Sequence, residues 1–338
     1  MIGHELARQR AFAISDSSGV AEARRYAASL ATALEFDEAS AGPLKIAVTE
    51  AATNILKHAG RGEIVMRIDQ RESASGVEVV ALDKGPGIAN LAESMRDGHS
   101  TAGSPGTGLG ALQRMTSGFE VWSHGGNGTL ARFTAWYRAP AAPDRLPLGA
   151  INTPKQGEEV SGDGWVVVQG RGSVIVFVVD GLGHGPEAAT AARTAVDTVK
   201  RSAHLDAVNL MDAVHSALRP TRGAAAAVLL LQAQNELCTF CGVGNISASI
   251  RGNGSTRSMV SHNGILGHQV RKMQEFSYPF PQGSLAIAHS DGVATSWDLA
   301  KYPGLASRHP SLVAAALYRD FSRGRDDLTV VALKNGPA

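Results

Sequence analysis

A chain of 338 residues, 43% hydrophobic and 19% charged, has the composition of an ordinary globular protein and the length of about two domains. A formal net charge of +1 gives no bulk attraction to nucleic acid or an anionic membrane, and the longest apolar runs, such as Ala224–Leu231, fall far short of a membrane span. Two cysteines, Cys238 and Cys241, exclude a disulfide framework; the opening residues MIGHELARQR lack the basic-then-apolar order of a secretion signal, so a cytoplasmic setting is expected.

In chain order, Val20, Ala23, Tyr26, Ala27, Leu30 and Leu34 recur at helical spacing and predict a helix over about 18–36. A second helix is expected from Pro43 to His58, with Leu44, Ala47, Val48, Ala51 and Ile55 as its apolar set. Strands follow at Glu63–Asp69 and Val77–Leu82, then a Gly- and Ser-rich loop, a helix near Gly108–Thr116 and strands at Phe119–Ser123 and Thr129–Tyr137. Arg138–Pro154 holds four prolines (140, 143, 147 and 154) with no periodicity, which reads as a linker. Beyond it, strands are expected near Trp165–Gln169, Val174–Val179, Ala225–Ala233, Cys238–Val243, Ser247–Arg251, Leu285–His289 and Leu328–Leu333. Helices are expected at 186–202, Ala207–Leu218 and Ser311–Ser322. The class is α+β, and the division is 1–138, a linker 139–154, and 155–338.

Three pieces of the first half carry chemistry. Glu50 and Asn54 stand four residues apart on one helix face. Asn54 suits a Mg²⁺ ion carrying ATP phosphates and Glu50 suits orienting or deprotonating a nucleophile, although a plain solvated face accounts for the same pair. Asp83-Lys84-Gly85-Pro86-Gly87 closes a strand. Its carboxylate can accept from an exocyclic amine and its glycines let the backbone approach a flat base, a tight turn being the alternative. Gly106-Thr107-Gly108-Leu109-Gly110 precedes a helix and can cradle phosphate through backbone N–H groups, while no G-x-x-x-x-G-K-[ST] loop occurs.

In this order, TEAATNILKHAG, DKGPGI and GTGLGAL resemble the N, G1 and G2 boxes of the GHKL ATPases. DGHSTAGSPGTGLGALQRM and GNGTLARF bring the likeness to the RsbT branch of the anti-sigma-factor serine kinases, over about residues 10–137. The resemblance implies a Bergerat α/β sandwich with helices on one face of a mixed sheet. It implies that Asn54 holds Mg²⁺, that Glu50 is the base, that Asp83 contacts adenine, and that Gly85 and Gly87 line the base pocket. Gly106, Gly108 and Gly110 would form the phosphate lid, and Thr129 matches the threonine near the adenine. The implied substrate is a serine or threonine on a STAS-domain protein.

In the second half, the apolar run Val174–Val179 ends in Asp180-Gly181, and Pro186 opens an Ala-rich helix. Asp163, Asp291 and the pair Asp326-Asp327 lie at similar strand ends. Each alone is an ordinary turn aspartate. Their repetition argues for a shared site, because converging carboxylates raise one another's pKa and divalent cations relieve the repulsion. Two such ions can hold and orient a water for in-line attack on a phosphoryl group.

SGDGW, VVDGLGHGPEA, SDGV and RDDLTVV resemble the metal motifs of the SpoIIE-type branch of the protein phosphatase 2C (PPM) family. RPTRGAAAAVLLL and CGVGNI are similar to the RsbX-like group within it. The resemblance covers about residues 150–335 and implies an α/β/β/α layered phosphatase. By that likeness Asp180 bridges two Mn²⁺ or Mg²⁺ ions, Gly181 binds one through its carbonyl, Asp291 and Asp326 complete one ion, and Asp163 supports the site. Eukaryotic members carry a histidine directly after Asp-Gly; here Leu182 stands there and His184 is two residues on, so the general acid is open. Gly183-His184-Gly185-Pro186-Glu187-Ala188 also fits a dinucleotide fingerprint, but Asp180 would face pyrophosphate with like charge. Cys238-Thr-Phe-Cys241, on an expected strand, puts its thiols on opposite faces and reads as buried packing.

The expected function is a bifunctional signalling switch: an ATP-dependent serine/threonine kinase domain fused to a metal-dependent phosphoserine/phosphothreonine phosphatase. Both would act on STAS-domain regulators of a partner-switching or stressosome-like pathway, with a sigma-factor regulator as a further partner. Neither nucleic acid nor membrane is a partner, and homo-oligomerisation is left open. The alternative is a phosphatase whose ATP-binding domain only captures a regulator; a scaffold without turnover fits poorly with four retained, costly carboxylates.

Overall fold

The computed structural model describes residues 9–70, 74–95, 108–141, 146–170, 172–252 and 254–336, and its backbone falls into two compact units. One gathers Ala7–Ala142 with Leu299–Arg308; the other gathers Pro143–Asp298 with His309–Ala338.

The first unit runs β1 (Arg10–Ile14), α1 (Ser17–Ala33), α2 (Glu38–Ala59), β2 (Gly62–Gln70), β3 (Ser75–Asp83), the short α3 (Leu91–Ser94), α4 (Leu109–Met115), β4 (Ser117–Ser123) and β5 (Thr129–Arg138). The sheet order is β1-β2-β3-β5-β4, and every pairing among the described residues is antiparallel, where a mixed sheet was expected. Alternation along the strands sends Ile64, Met66, Val77, Val79, Ala131 and Phe133 into a core shared with Ala23, Ala27 and Leu30 of α1 and Leu44, Val48 and Ile55 of α2. Asp16 caps α1, accepting from the Ser18 N–H at 2.7 Å.

α2 starts five residues before the expected Pro43. Asp37 caps it, accepting from the Ser40 N–H at 2.8 Å, and Pro43 is carried inside the helix. The proline removes one bond to the carbonyl of Ala39, an exposed residue that water can serve, so the cap decides the boundary. The unit also includes ten residues from far along the sequence: Trp122 Nε1 donates to the Pro303 carbonyl at 2.9 Å, with its ring 5.5 Å from that of Tyr302.

The second unit comprises β6 (Leu148–Thr153), β7 (Asp163–Gln169), β8 (Val174–Gly181), α5 (Pro186–Arg201), α6 (Ala207–Leu218), β9 (Ala224–Gln232), β10 (Leu237–Val243), β11 (Ser247–Gly252), β12 (Ser255–Ser258), β13 (Phe276–Pro279), β14 (Leu285–His289), α7 (Pro310–Phe321) and β15 (Leu328–Lys334). Two five-stranded antiparallel sheets form, β13-β10-β9-β8-β7 and β12-β11-β14-β15-β6. Their inner faces share a core of Trp165, Val176, Val178, Leu229, Phe240, Ile250, Ala286 and Val331. The buried faces of α5 and α6 pack on the outer side of the first sheet through Ala192, Val196, Leu210 and Val214, and α7 covers β6 and β15 of the second. The layers are therefore helix, sheet, sheet, helix.

β6 lies inside the stretch expected as linker. It pairs with β15 from Leu328↔Thr153 to Leu333↔Leu148. Leu148 and Ala150 enter the sandwich core, and a side chain at Gly149 would run into the backbone at Pro310 and Ser311 of α7. Six residues of weak β pattern between Pro147 and Pro154 hide this strand. Cys238 and Cys241 are both fully buried on opposite faces of β10, one in each core, and burial pushes their thiols up to about 12 and about 11. Among the described residues no helix is long and apolar enough to cross a membrane.

Candidate functional site

In the first unit, Glu50 and Asn54 are half-buried, one turn apart on α2. β3 delivers Asp83, whose Oδ1 accepts from the N–H of Gly85 at 2.8 Å and of Thr129 at 3.2 Å. Ser123 Oγ accepts from the Ile88 N–H at 2.8 Å and donates to the Gly128 carbonyl at 2.9 Å, with Thr129 Oγ1 3.1 Å away. These bonds tie the end of β3 to the β4–β5 hairpin. The glycines of the turn answer to the protein's own packing: Gly87 has φ +76° and an added Cβ would lie 2.6 Å from the His124 carbonyl oxygen, while one at Gly85 would lie 2.7 Å from the Ala59 Cβ. Gly108 is the N-cap of α4 and Gly110 is buried in its first turn; Gly106 lies outside the described residues. Asn54 offers an amide oxygen and Asp83 an oriented carboxylate, a donor set that suits Mg²⁺ and an amine-bearing base.

In the second unit, the strand ends collect acids. Asp163 opens β7 directly opposite Asp180 at the end of β8. Asp163 is 2% exposed, and its Oδ2 has no hydrogen-bond partner among the described residues. Burial, then the neighbouring Asp180 charge, pushes its carboxyl well above the usual range, against hydrogen bonds from Ser290 and Thr329. Asp180 is raised to about 7 by burial and by the charges of Asp291 and Asp326. Gly181 has no room for a side chain, because a Cβ would strike the Ala188 carbonyl oxygen at the start of α5. Its N–H donates to the Gly162 carbonyl at 3.0 Å.

The adjacent acids Asp326 and Asp327 do different things. Asp327 is 2% exposed and accepts from the N–H groups of Lys155 at 2.8 Å and Gly162 at 2.9 Å, so its carboxylate ties loops together. Asp326 is exposed and accepts from the Asp327 N–H at 3.0 Å. His184 turns to Glu158, Nδ1 to Oε1 at 2.6 Å, and Arg222 pairs with Glu187 beside the Gly183 turn.

Among the described residues no three His, Cys, Asp or Glu side chains form a ready-made ion cage; the aspartates share a field rather than a common point. The fit to a divalent ion lies in the chemistry: several oxygen donors, a buried carboxylate oxygen without a hydrogen-bond partner among the described residues, and a carboxyl raised to about 7 by burial and by neighbouring acids. Asn245 was not foreseen. Its Nδ2 donates to Asp291 Oδ2 at 2.8 Å and reaches Asp180 Oδ2 at 3.4 Å, linking two of the acids. In the sequence it stands in Gly242-Val243-Gly244-Asn245, after β10, where a turn asparagine is unremarked.

Comparison with known proteins bears on both units. Residues 15–135 match the histidine kinase-like ATPase domain family, and residues 170–335 match the stage II sporulation protein E (SpoIIE) family. The serine/threonine-protein kinase RsbT of Bacillus subtilis (strain 168) is 32% identical over 119 residues, 35% of this chain and 90% of RsbT. The phosphoserine phosphatase RsbX of the same organism is 26% identical over 140 residues, 41% of this chain and 70% of RsbX. A solved chain from work on the bacterial stressosome is 30% identical with a TM-score of 0.53, over 56% of this chain and all of that one.

Proposed function

Because the chain belongs to the histidine kinase-like ATPase family that includes RsbT, and carries a SpoIIE-type phosphatase domain after it, we propose that it is a partner-switching regulator that both writes and erases phosphate on STAS-domain proteins. The observation that carries the erasing half is the meeting of Asp163, Asp180, Asp291 and Asp326 at strand ends with Asn245 between two of them. Asp180, Asp291, Asp326 and the Gly181 carbonyl would hold two Mn²⁺ or Mg²⁺ ions. When bound, such ions would supply the positive charge that activates a water toward a phosphoserine or phosphothreonine. Asp163 supports Asp180 from the facing strand, and Asn245 orients Asp291. Because Asp327 is tied to backbone N–H groups, Asp326 is the ligand of the pair. His184 is engaged by Glu158, which leaves the leaving group to take its proton from solvent or the site's own water.

In the writing half, Asn54 would hold Mg²⁺ on the ATP phosphates and Glu50 would take the proton of the partner's hydroxyl. Asp83, fixed by Gly85 and Thr129, would accept from the adenine amine; Gly87 would line the base, and Gly106, Gly108 and Gly110 the phosphates. The first domain would end near 138, as expected, while the second would begin before the expected 155, because Leu148–Thr153 pairs into its sheet. The test for the writing half is transfer of labelled phosphate from ATP to a STAS-domain protein. Glu50→Ala should abolish transfer by about 10²-fold or more while the partner still binds. Unchanged transfer would exclude Glu50 as the base.

A further inference from the structure

β11 alternates cleanly. Ala248 and Ile250 enter the sandwich core, and Ser247, Ser249 and Arg251 face the other side of the sheet. On that side α7 covers β6 and β15, at the far end of the sheet order from β11 and β12. Over the β11–β12 end lies a cavity of about 400 Å³, lined by Asn245, Ser249, Arg251, Thr256, Ser258 and Trp297 among others. Cross-strand pairing sets Ser258 opposite Ser249 and Thr256 opposite Arg251, so the floor is a patch of hydroxyls around one guanidinium.

Two donors in this floor lack acceptors. Ser249 is 7% exposed and its hydroxyl has no hydrogen-bond partner among the described residues; the same holds for the buried Nε of Arg251. Leaving such buried groups unpaired is unfavourable, and a ligand with several acceptor oxygens removes that cost. The guanidinium lies 4.9 Å over the Trp297 ring, and its Nη2 is 3.2 Å from Asp298, a rim carboxylate whose side chain is 49% exposed. That exposed pairing is weak and leaves the inner edge of the guanidinium to be satisfied. The wall is fixed: Trp297 Nε1 donates to His289 Nε2 at 3.0 Å, which leaves the proton on Nδ1 to serve the Ser290 carbonyl at 2.8 Å.

The cavity shares Asn245 with the acidic site, since that side chain also donates to Asp291. From Ser247 to Arg251 the strand advances about 13 Å, and Asn245, the residue that touches Asp291, lies two residues further back, so an extended peptide covers the span in about four to six residues. Resting on the phosphatase reading above, we infer that this cavity is a substrate subsite: it takes an oxyanionic side chain about four to six residues from the phosphoserine or phosphothreonine presented to the aspartates. Arg251 and Ser249 bind the oxyanion and Trp297 holds Arg251 in place. The oxyanion is a carboxylate or a second phosphate.

The test uses the full chain with Mn²⁺ and labelled peptides carrying a non-hydrolysable phosphonate in place of the phosphoserine ester. Glu, phosphoserine phosphonate or Gln is placed at successive positions on either side, and binding is read by fluorescence anisotropy. Glu or the second phosphonate about four to six residues away should tighten binding about tenfold over Gln, and the stronger of the two identifies the anion. Arg251→Gln should remove the preference, and Arg251→Glu should transfer it to a peptide with Lys at that position. Equal binding of Glu, phosphonate and Gln peptides by the wild type at every position would overturn the inference, as would a preference that survives Arg251→Gln. Turnover of p-nitrophenyl phosphate by the wild type is measured in parallel. An inactive protein that keeps the Arg251-dependent preference would break the phosphatase reading and leave the subsite standing.

Discussion

Each unit buries acidic side chains, and they are treated in opposite ways. On the sheet face opposite α1 and α2, Glu78 of β3 is 2% exposed and lies between two arginines, Arg67 Nε at 2.7 Å and Arg132 Nη2 at 3.0 Å. Arg132 also donates to Thr134 Oγ1 and the Gly118 carbonyl, both at 2.8 Å. The chain thus supplies this carboxylate with its own cations. In the second unit, Asp163 and Asp180 meet across β7 and β8, with Asp291 and Asp326 in the field of Asp180, and among the described residues it is the neutral amide of Asn245 that bridges Asp180 and Asp291. The difference separates a carboxylate that the fold itself supplies with cations, although Arg132 Nε has no hydrogen-bond partner among the described residues, from carboxylates that repel one another as folded and are proposed to take an external cation.

The largest effect is expected at Glu78. Glu78→Gln takes the carboxylate charge shared by Arg67 and Arg132 out of a buried cluster and should cost roughly 3–5 kcal/mol of stability in urea unfolding. A loss under 1 kcal/mol would mean that solvent already serves the arginines. The same kind of change at the acidic site should act in the other direction. Asp180→Asn removes a carboxylate whose pKa is raised to about 7, and the metal-free protein at pH 8 should gain roughly 1–3 kcal/mol. A loss of stability would contradict the repulsion.

Divalent metal sharpens the contrast. A carboxyl whose folded pKa is raised binds more protons folded than unfolded, so the metal-free stability contribution falls as pH climbs from about 4 towards 7 and beyond. Mn²⁺ competes with those protons. Its stabilisation, read as a rise in Tm, should therefore be several degrees at pH 8 and smaller at pH 5.5. An equal rise at both values would place the ion elsewhere. The smallest expected effect is at Asn245: Asn245→Leu should weaken Mn²⁺ binding about 10- to 100-fold, measured by calorimetry, without altering the urea stability of the metal-free protein by more than about 1 kcal/mol.

Much of this was legible in the sequence. β-branched runs such as Val174–Val179 fix their own strands, and the helix Ala207–Leu218 and strand Leu285–His289 fall where periodicity puts them. The acidic site is legible because Asp-Gly recurs at strand ends, a pattern that turn chemistry alone does not require. What escaped depends on distant partners. β6 is a strand because β15 and α7 accept it, not because LGAINT demands it, and β12 and β13 are short, mostly exposed segments paired at the sheet edges. Asn245 lies within the CGVGNI stretch, but its role becomes informative only when Asp291 is beside it; Arg251 carries no local signature and gains one only when β12 and Trp297 close around it. The cap at Asp37 was readable, but Pro43 gave the stronger local signal and drew the boundary to itself.

The aspartates of the second unit are proposed to hold a divalent ion that serves phosphoserine hydrolysis. The most direct measurement is phosphate release from a serine-phosphorylated STAS-domain protein, titrated with Mn²⁺, for wild type and Asp180→Asn. Saturable, Mn²⁺-dependent release by the wild type and its loss in the variant is the predicted result; release that persists in Asp180→Asn, or that ignores Mn²⁺, would contradict it.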